Sequence, residues 1–173
     1  MAKRAATAGL LTALALALGY LEHLLPLQLL VPLPGIKLGL SNIVTLFALI
    51  ALGKRYAFSI LLARCLLQGM LFGSVPSLAF SLSGGILAML VMSLLKQGYP
   101  SFFSVIGISA AGATCHQIGQ IICAGIFFQS SAVLAYLPIL LAAGGISGCC
   151  TGLVGQLFLA RSAHMGLGND TAV

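Results

Sequence analysis

LLTALALALGYLEHLL, residues 10–25, is a nearly unbroken apolar run that carries one acidic residue, Glu22. A helix that crosses a bilayer needs about 20 mostly apolar residues. Lys3 and Arg4 precede the run, as in a secretory signal peptide, but the run is long for such a peptide and nothing soluble follows it. We therefore expect a membrane helix over about residues 5–25 that stays in the protein.

The composition of the whole chain agrees with this first run. Of 173 residues, 60% are hydrophobic and 6% are charged, whereas a soluble domain has about 25% charged residues. A soluble enzyme, a nucleic-acid-binding domain and a disordered chain are all excluded by these values. Six helices of about 20 residues would use about 120 residues and leave room only for short loops.

Glycine, proline and basic residues divide the chain into six apolar segments. We predict an all-α membrane protein in which a single domain, residues 1–173, holds six transmembrane helices. The predicted helices span about residues 5–25, 37–53, 56–73, 77–95, 101–128 and 136–160.

Residues 26–35 follow the first predicted helix and contain Pro26, Pro32, Pro34 and Gly35. The prolines lack backbone donors and forbid a regular helix. Because the segment is otherwise apolar and its backbone groups would lack partners in lipid, we expect a loop at the interface or folded over a cavity mouth.

The basic residues predict the orientation. With the N-terminus in the cytoplasm, most of them fall on the cytoplasmic side, as the positive-inside rule requires. We therefore expect a multi-pass protein of the bacterial cytoplasmic membrane with both termini in the cytoplasm and the proline-rich loop outside. The residues on the cytoplasmic side are Lys3, Arg4, Lys54, Arg55, Lys96 and Arg161, whereas Lys37 falls outside.

Polar side chains gather in the outer half of the predicted helices, and the inner half is almost purely apolar. We expect a cavity that opens to the outside and is closed below, because a through-channel would need polar lining along its whole length. The candidate substrate-binding residues are Glu22, Lys37, Ser41, Asn42, Arg64, Gln68, Ser81, His116, Gln117 and Gln120.

Two of these residues leave alternatives open. An ionised arginine inside a span costs several kcal/mol unless it is paired or hydrated, so Arg64 binds a ligand, pairs with Glu22, or does both. His116 is either a core histidine bonded to a neighbouring helix or a ligand contact. We expect no metal ligand.

Small residues form two further patterns. Ala5, Gly9, Ala13 and Ala17 repeat every four residues and predict a ridge that docks another helix, in this protein or in a partner. The pairs Gly84-Gly85 and Gly144-Gly145 lie at equal predicted depth, and they allow either close helix packing or space for a ligand. The five cysteines all lie in apolar runs, and we expect them to be buried, inert thiols.

The chain has two acidic residues, Glu22 and Asp170. Prenyl or phosphoryl transfer with Mg²⁺ needs several carboxylates, and ATP hydrolysis needs a phosphate-binding loop that this sequence does not contain. We therefore expect no enzyme activity, no cofactor and no nucleic-acid partner. Any active transport would need an energised partner protein.

Three segments resemble one known family. They are PGIKLGLSNIVTL at residues 34–46, LFG at 71–73 leading to FSLSGG at 80–85, and HQIGQ at 116–120. The chain resembles the Gx transporter family, which is also labelled heptaprenyl diphosphate synthase component I. The family pattern has Asn after the histidine, where this chain has Gln117.

That family looks like the substrate-binding (S) components of energy-coupling-factor (ECF) transporters. The resemblance implies a six-helix bundle with an outer cavity that is capped by the loop after the first helix. It also implies docking of the first-helix ridge on a transmembrane scaffold subunit, which two ABC ATPases drive.

The sequence leaves three functions open. The first is a substrate-capture subunit that takes up a small vitamin-like or anionic solute. The second is a non-catalytic membrane subunit in polyprenyl diphosphate or quinone synthesis, with an apolar groove for a prenyl chain. The third is a structural or assembly protein that contacts membrane lipid but binds no small ligand.

Overall fold

The computed structural model describes residues 2–25 and 37–164, and these residues are almost entirely helical. The predicted proline-rich loop at residues 26–35 lies outside the described residues. Short 3-10 turns at Lys96–Gly98 and Ser131–Tyr136 precede the fifth and sixth helices. The α-helices are α1 (Ala2–Leu24), α2 (Asn42–Ala51), α3 (Lys54–Leu71), α4 (Val75–Leu95), α5 (Val105–Phe128) and α6 (Leu137–His164).

Four segments of the described chain are long and apolar enough to cross a bilayer: Ala2–Leu24, Val75–Gly98, Val105–Phe128 and Ser131–Arg161. These segments confirm the predicted all-α membrane class, with several passes. The prediction of six equivalent spans is not confirmed, because α2 has 10 residues and the 18-residue α3 includes three basic residues.

The predicted start of α2 at residue 37 is wrong, because the helix begins at Asn42. Gly39 has a φ of 86°, in the left-handed region that breaks a helix. The backbone N–H groups of Lys37 and Gly39 donate to the Gln120 and Glu22 side chains instead of to carbonyl groups of a helix. Gly53, with a φ of 95°, separates α2 from α3.

The other predicted boundaries differ by smaller amounts. The start of α5 moves from residue 101 to Val105, because the Ser104 hydroxyl accepts a hydrogen bond from the Gly107 N–H at 3.0 Å and caps the helix there. The end of α6 moves from residue 160 to His164.

Contacts between helices establish their directions. The rings of Tyr20 and His23 pack on Phe72, so α1 and α3 end at the same end of the bundle. Arg64, in the second half of α3, bonds Asn42 at the start of α2. We call this end of the bundle the polar end and the opposite end the basic end.

The basic end carries the residues that the orientation prediction groups together. Lys3 and Arg4 begin α1, Lys54 begins α3, and Arg161 lies near the end of α6. Lys96 donates from Nζ to the Leu49 carbonyl oxygen at 2.5 Å, near the last turn of α2. The cluster of positive charge at one end therefore follows from the fold itself.

Glycines bring α5 close to both α4 and α6. A Cβ at Gly84 would lie 2.6 Å from the backbone oxygen of His116, and a Cβ at Gly144 would lie 2.8 Å from the Gln117 side chain. A Cβ at Gly85 would meet the Leu61 side chain at 2.6 Å, whereas a Cβ at Gly145 would meet nothing within 4 Å. Three of the four glycines thus serve close packing, and the structure shows no ligand-sized space at them.

The prediction that the cysteines are buried is correct only for Cys65. Cys115 and Cys123 are half-buried, and Cys149 and Cys150 are exposed on α6. In a membrane helix both the core face and the lipid face are apolar, so an apolar sequence context does not show that a side chain is buried.

The two faces of α1 are distinct. Its buried face consists of Leu11, Ala15, Gly19 and Glu22. The small-residue ridge lies on the other side, with Ala5, Gly9, Ala13 and Ala17 all exposed. The structure therefore does not show the ridge docked on another helix of the described part of this protein, which was one of the two alternatives.

Candidate functional site

The polar end of the bundle brings together the side chains that the sequence singled out. Each is at most 8% exposed. α1 contributes Glu22, and α3 contributes Arg64 and Gln68. The remaining members are Lys37, Ser41, Asn42, Ser81, His116, Gln117 and Gln120. We call this set the polar cluster.

Two glutamines of α5 hold the backbone of Lys37. Gln120 accepts the Lys37 N–H at 2.9 Å with Oε1 and donates to the Lys37 carbonyl oxygen at 2.7 Å from Nε2. Gln117 donates from Nε2 to the carbonyl oxygens of Lys37 and Leu38, at 3.1 and 3.2 Å. The longer side chain at position 117, where the family pattern has Asn, thus reaches two carbonyl groups.

Gln68 links α3 to α1 and to the Lys37 side chain. Its Nε2 donates to the Ala15 carbonyl oxygen at 3.0 Å, and its Oε1 accepts from Lys37 Nζ at 3.4 Å. Gly19 makes room for the Gln68 amide, because a Cβ at that position would lie 1.8 Å from Nε2. Lys37 lies outside the helices, and burial lowers the pKa of its ammonium group against the opposing effect of the Glu22 carboxylate.

Glu22 and His116 meet at Gly39. The Gly39 N–H donates to Glu22 Oε1 at 2.6 Å. A Cβ on Gly39 would lie 3.0 Å from the ring of His116 and 2.9 Å from Asn42 Nδ2. The close approach and the positive φ both require glycine at this position.

Arg64 bonds the start of α2. Its Nη1 donates to Ser41 Oγ, and its Nη2 donates to Asn42 Oδ1 at 2.7 Å. The Glu22 carboxylate interacts electrostatically with Arg64 and Lys37, yet among the described residues neither cation forms an ion pair with it within 4.0 Å. The structure therefore does not show the expected direct pair between Glu22 and Arg64.

The polar cluster is packed around residues 37–42 of the chain itself. The predicted outer cavity is not confirmed, since the loop expected to cap it, residues 26–35, lies outside the described residues. Six buried side-chain atoms in this region form no hydrogen bond of normal geometry among the described residues, although the His116 ring also interacts with the Gly84 backbone and the Glu22 carboxylate with the Leu38 backbone. The six atoms are Glu22 Oε2, Asn42 Nδ2, Thr45 Oγ1, Arg64 Nε, Ser81 Oγ and His116 Nδ1.

Thr45 is a member of this group that the sequence analysis missed. Its side chain is fully buried. The signal for it was its position three residues after Asn42, which puts the two side chains on the same face of a helix. Within the described residues, no group of three or more His, Cys, Asp or Glu side chains could hold a metal ion.

An apolar cleft of about 360 Å³ lies beside the polar cluster, between α1, α2 and α6. Because its lining does not differ from a lipid-facing surface, the cleft could not be predicted from the sequence. Leu14, Val154 and Phe158 are partly exposed, so the cleft opens on the surface of the bundle. The side chains that line it include Leu14 and Leu18 of α1, Ile43 and Phe47 of α2, and Val154 and Phe158 of α6.

Comparison with known proteins identifies the family. No curated protein and no solved structure shows a significant match to the chain. The family model described as heptaprenyl diphosphate synthase component I matches residues 11–158, which include α2 to α5 entirely and the polar cluster. The chain therefore belongs to the heptaprenyl diphosphate synthase component I family.

Proposed function

We propose that this protein is the substrate-capture subunit of an ECF-type importer and that the polar cluster binds the solute. The observation that carries the proposal is the concentration of buried polar atoms without partners at one end of an otherwise apolar bundle. Buried polar groups are nearly always hydrogen-bonded, so an unpartnered set of this size favours a bound polar ligand.

The small-residue ridge on α1 supports the same proposal. Its four residues are exposed, and a Cβ at Gly9 would meet nothing within 4 Å. Small residues on a membrane helix allow another helix to approach closely. A transmembrane scaffold subunit, energised by two ABC ATPases, would dock there.

The test begins with purification of the protein from its native membrane in a gentle detergent, followed by mass spectrometry of everything that co-elutes. We expect an ABC ATPase pair and a membrane scaffold protein. A Gly9→Leu variant should lose these partners and still fold, because the added side chain has free space. Gly145→Leu, another helical glycine with open space around it, is the matched control and should retain them.

Uptake provides the second part of the test. Arg64→Ala should abolish solute uptake by cells while the protein remains in the membrane at normal levels. If Arg64→Ala lowers only the amount of folded protein, the structural or assembly function is favoured instead.

A second candidate function is supported by the apolar cleft and by the description of the family. A non-catalytic membrane subunit of a polyprenyl diphosphate synthase system would use such a cleft for a prenyl chain. Deletion of the gene should then change prenyl chain length or quinone content, and a soluble prenyl diphosphate synthase subunit should co-elute. Unchanged prenyl products would exclude this function.

A further inference from the structure

The apolar cleft and the polar cluster adjoin one another. Leu18 lines the cleft, and Glu22 of the cluster lies four residues later on α1, which places their Cβ atoms about 5–6 Å apart. On the opposite wall, Leu40 lines the cleft while its neighbours Gly39 and Ser41 bond to cluster side chains. One end of the cleft is therefore about one helical turn from the cluster.

The polar cluster has an excess of positive charge and of donors. Lys37 and Arg64 are buried there with a single carboxylate, that of Glu22. The unpartnered atoms include Arg64 Nε and Asn42 Nδ2, which can only donate, and two hydroxyl groups, which can donate, against one acceptor-only atom, Glu22 Oε2. A buried charge is costly unless it is paired, so this end of the site favours an anionic group.

The volume of the cleft suits one small apolar occupant. Its volume of about 360 Å³ is near the lower end of the roughly 300–1,000 Å³ of small-molecule sites. A single turn of a partner helix, about 10–12 Å wide and about 5.4 Å long with its side chains, already exceeds this volume, so such a helix does not fit inside the cleft. The rings of Phe47 and Phe158 pack edge to face with centroids 6.2 Å apart, on the side of the cleft away from the cluster.

We propose that the ligand is an amphipathic anion, with its anionic head group at the polar cluster and a single hydrocarbon chain in the apolar cleft. This inference rests on the proposed function in one respect: both take the polar cluster as the ligand site. It adds the chemical class of the ligand. The long axis of the ligand would follow α1 from Glu22 toward Leu11.

Photolabelling of the full-length protein in lipid nanodiscs tests the proposal. The probes are photoreactive geranylgeranyl phosphate and photoreactive palmitic acid, each with its neutral alcohol, and mass spectrometry locates the labelled residues. We expect an anionic probe to label cleft residues at least fivefold more than its alcohol. Stronger labelling by the geranylgeranyl phosphate probe would identify an isoprenoid chain, and stronger labelling by the palmitic acid probe would identify an acyl chain.

Matched variants separate the cleft from the general lipid surface. Val154→Trp should fill the cleft and reduce labelling at least fivefold, whereas Leu153→Trp, on the exposed side of the same helix, should leave it unchanged. Arg64→Gln should remove the preference for the anion over the alcohol. If Val154→Trp protein does not fold, Val154→Phe is the replacement.

Two outcomes would overturn the inference. One is equal labelling by anion and alcohol in the wild-type protein. The other is labelling that Leu153→Trp reduces as much as Val154→Trp does. If the ABC ATPases co-elute and either outcome occurs, the capture function stands and the amphipathic ligand is rejected.

Discussion

At the scale of single residues, the polar cluster is dominated by side chains that bond backbone rather than one another. Gln120 satisfies both the N–H and the carbonyl group of Lys37, and Glu22 satisfies the N–H of Gly39. These bonds hold an extended segment inside a bundle where helix or sheet would otherwise be needed to satisfy the backbone.

Gln120→Leu tests this role. The variant leaves the buried Lys37 N–H without a partner, whereas the Lys37 carbonyl retains Gln117. We expect a loss of about 1–3 kcal/mol in stability, the cost of an unsatisfied buried donor. Thermal unfolding and hydrogen exchange of the Lys37 amide provide the measurements.

Gln156→Leu, at an exposed site on α6, is the control for this substitution. It should change stability by no more than about 0.5 kcal/mol. Equal effects of the two leucine variants would show that the Gln120 bonds do not stabilise the fold.

The residue scale also shows what the sequence could predict. The structure buries the members of the polar cluster at one end of the bundle, where antiparallel helices bring positions of equal depth together, and their role in binding a substrate stays a prediction. The hydrogen bonds from Arg64 to Ser41 and Asn42 were not predicted. The bonds to the Lys37 backbone could not be predicted, because they depend on the path of a non-helical segment.

At the scale of elements, the contact between α4 and α5 is set by backbone atoms. A Cβ at Gly119 would lie 2.8 Å from the Cα of Gly84. The Ser83 hydroxyl adds a hydrogen bond to the Gly119 carbonyl oxygen at 3.1 Å. Such close approach is available only where both helices carry small residues.

Gly84→Ala should therefore separate α4 from α5. The new methyl group would meet the His116 backbone oxygen at 2.6 Å, and backbone cannot rotate away. We expect destabilisation of about 1–3 kcal/mol, measured by thermal unfolding of the purified protein.

Gly145→Ala is the matched control, since its methyl group meets nothing within 4 Å. It should be neutral or stabilise the protein by about 0.4–1 kcal/mol. If both alanine variants change stability by the same amount, the close contact at Gly84 does not affect stability, and both substitutions act only through helix propensity.

The C-terminal end of α2 depends on Lys96, which donates from Nζ to the carbonyl oxygens of Leu49 and Ile50 at 2.5 and 3.4 Å. Lys96→Met keeps an apolar side chain of similar length and removes these bonds. We expect a loss of about 1 kcal/mol, typical of a cation at a helix C-terminus. Faster hydrogen exchange of the last-turn amides of α2 would report it.

Lys54→Met, at an exposed position of the same basic end, is the control. It should leave exchange in α2 unchanged. An equal effect of both variants would point to the total positive charge at the basic end rather than to the bonds from Lys96.

Element boundaries were the least predictable part of the fold. Leu38 and Leu40, which precede α2, are as apolar as its interior, so hydropathy alone could not place the helix start at Asn42. The same limitation hid the exposure of Cys149 and Cys150 and the existence of the cleft. In each case, lipid-facing and core-facing residues have the same chemistry.

At the scale of the whole molecule, the start of α1 and the end of α6 both lie at the basic end of the described bundle. The exposed charges of Lys3, Lys54 and Arg55 lie there, whereas the polar end holds its cations buried. According to the positive-inside rule, such an asymmetry of positive charge sets the orientation of a membrane protein during insertion.

Reporter fusions check the resulting orientation. A protein active only in the cytoplasm should be active when it is fused to either terminus, and a reporter that requires export should be inactive at both. Opposite results at the two ends would contradict the predicted even number of passes, and export of both would contradict the predicted orientation.

The short length of α2 has a consequence for biogenesis. Its 10 residues extend about 15 Å at 1.5 Å per residue, half of the roughly 30 Å hydrocarbon core. Eight of those residues are buried against other helices, and its two ends are held by Arg64 and Lys96. Such a segment cannot be released into the bilayer as an independent span, so we expect α2 to reach its place only after α3 and α4 have been synthesised and inserted.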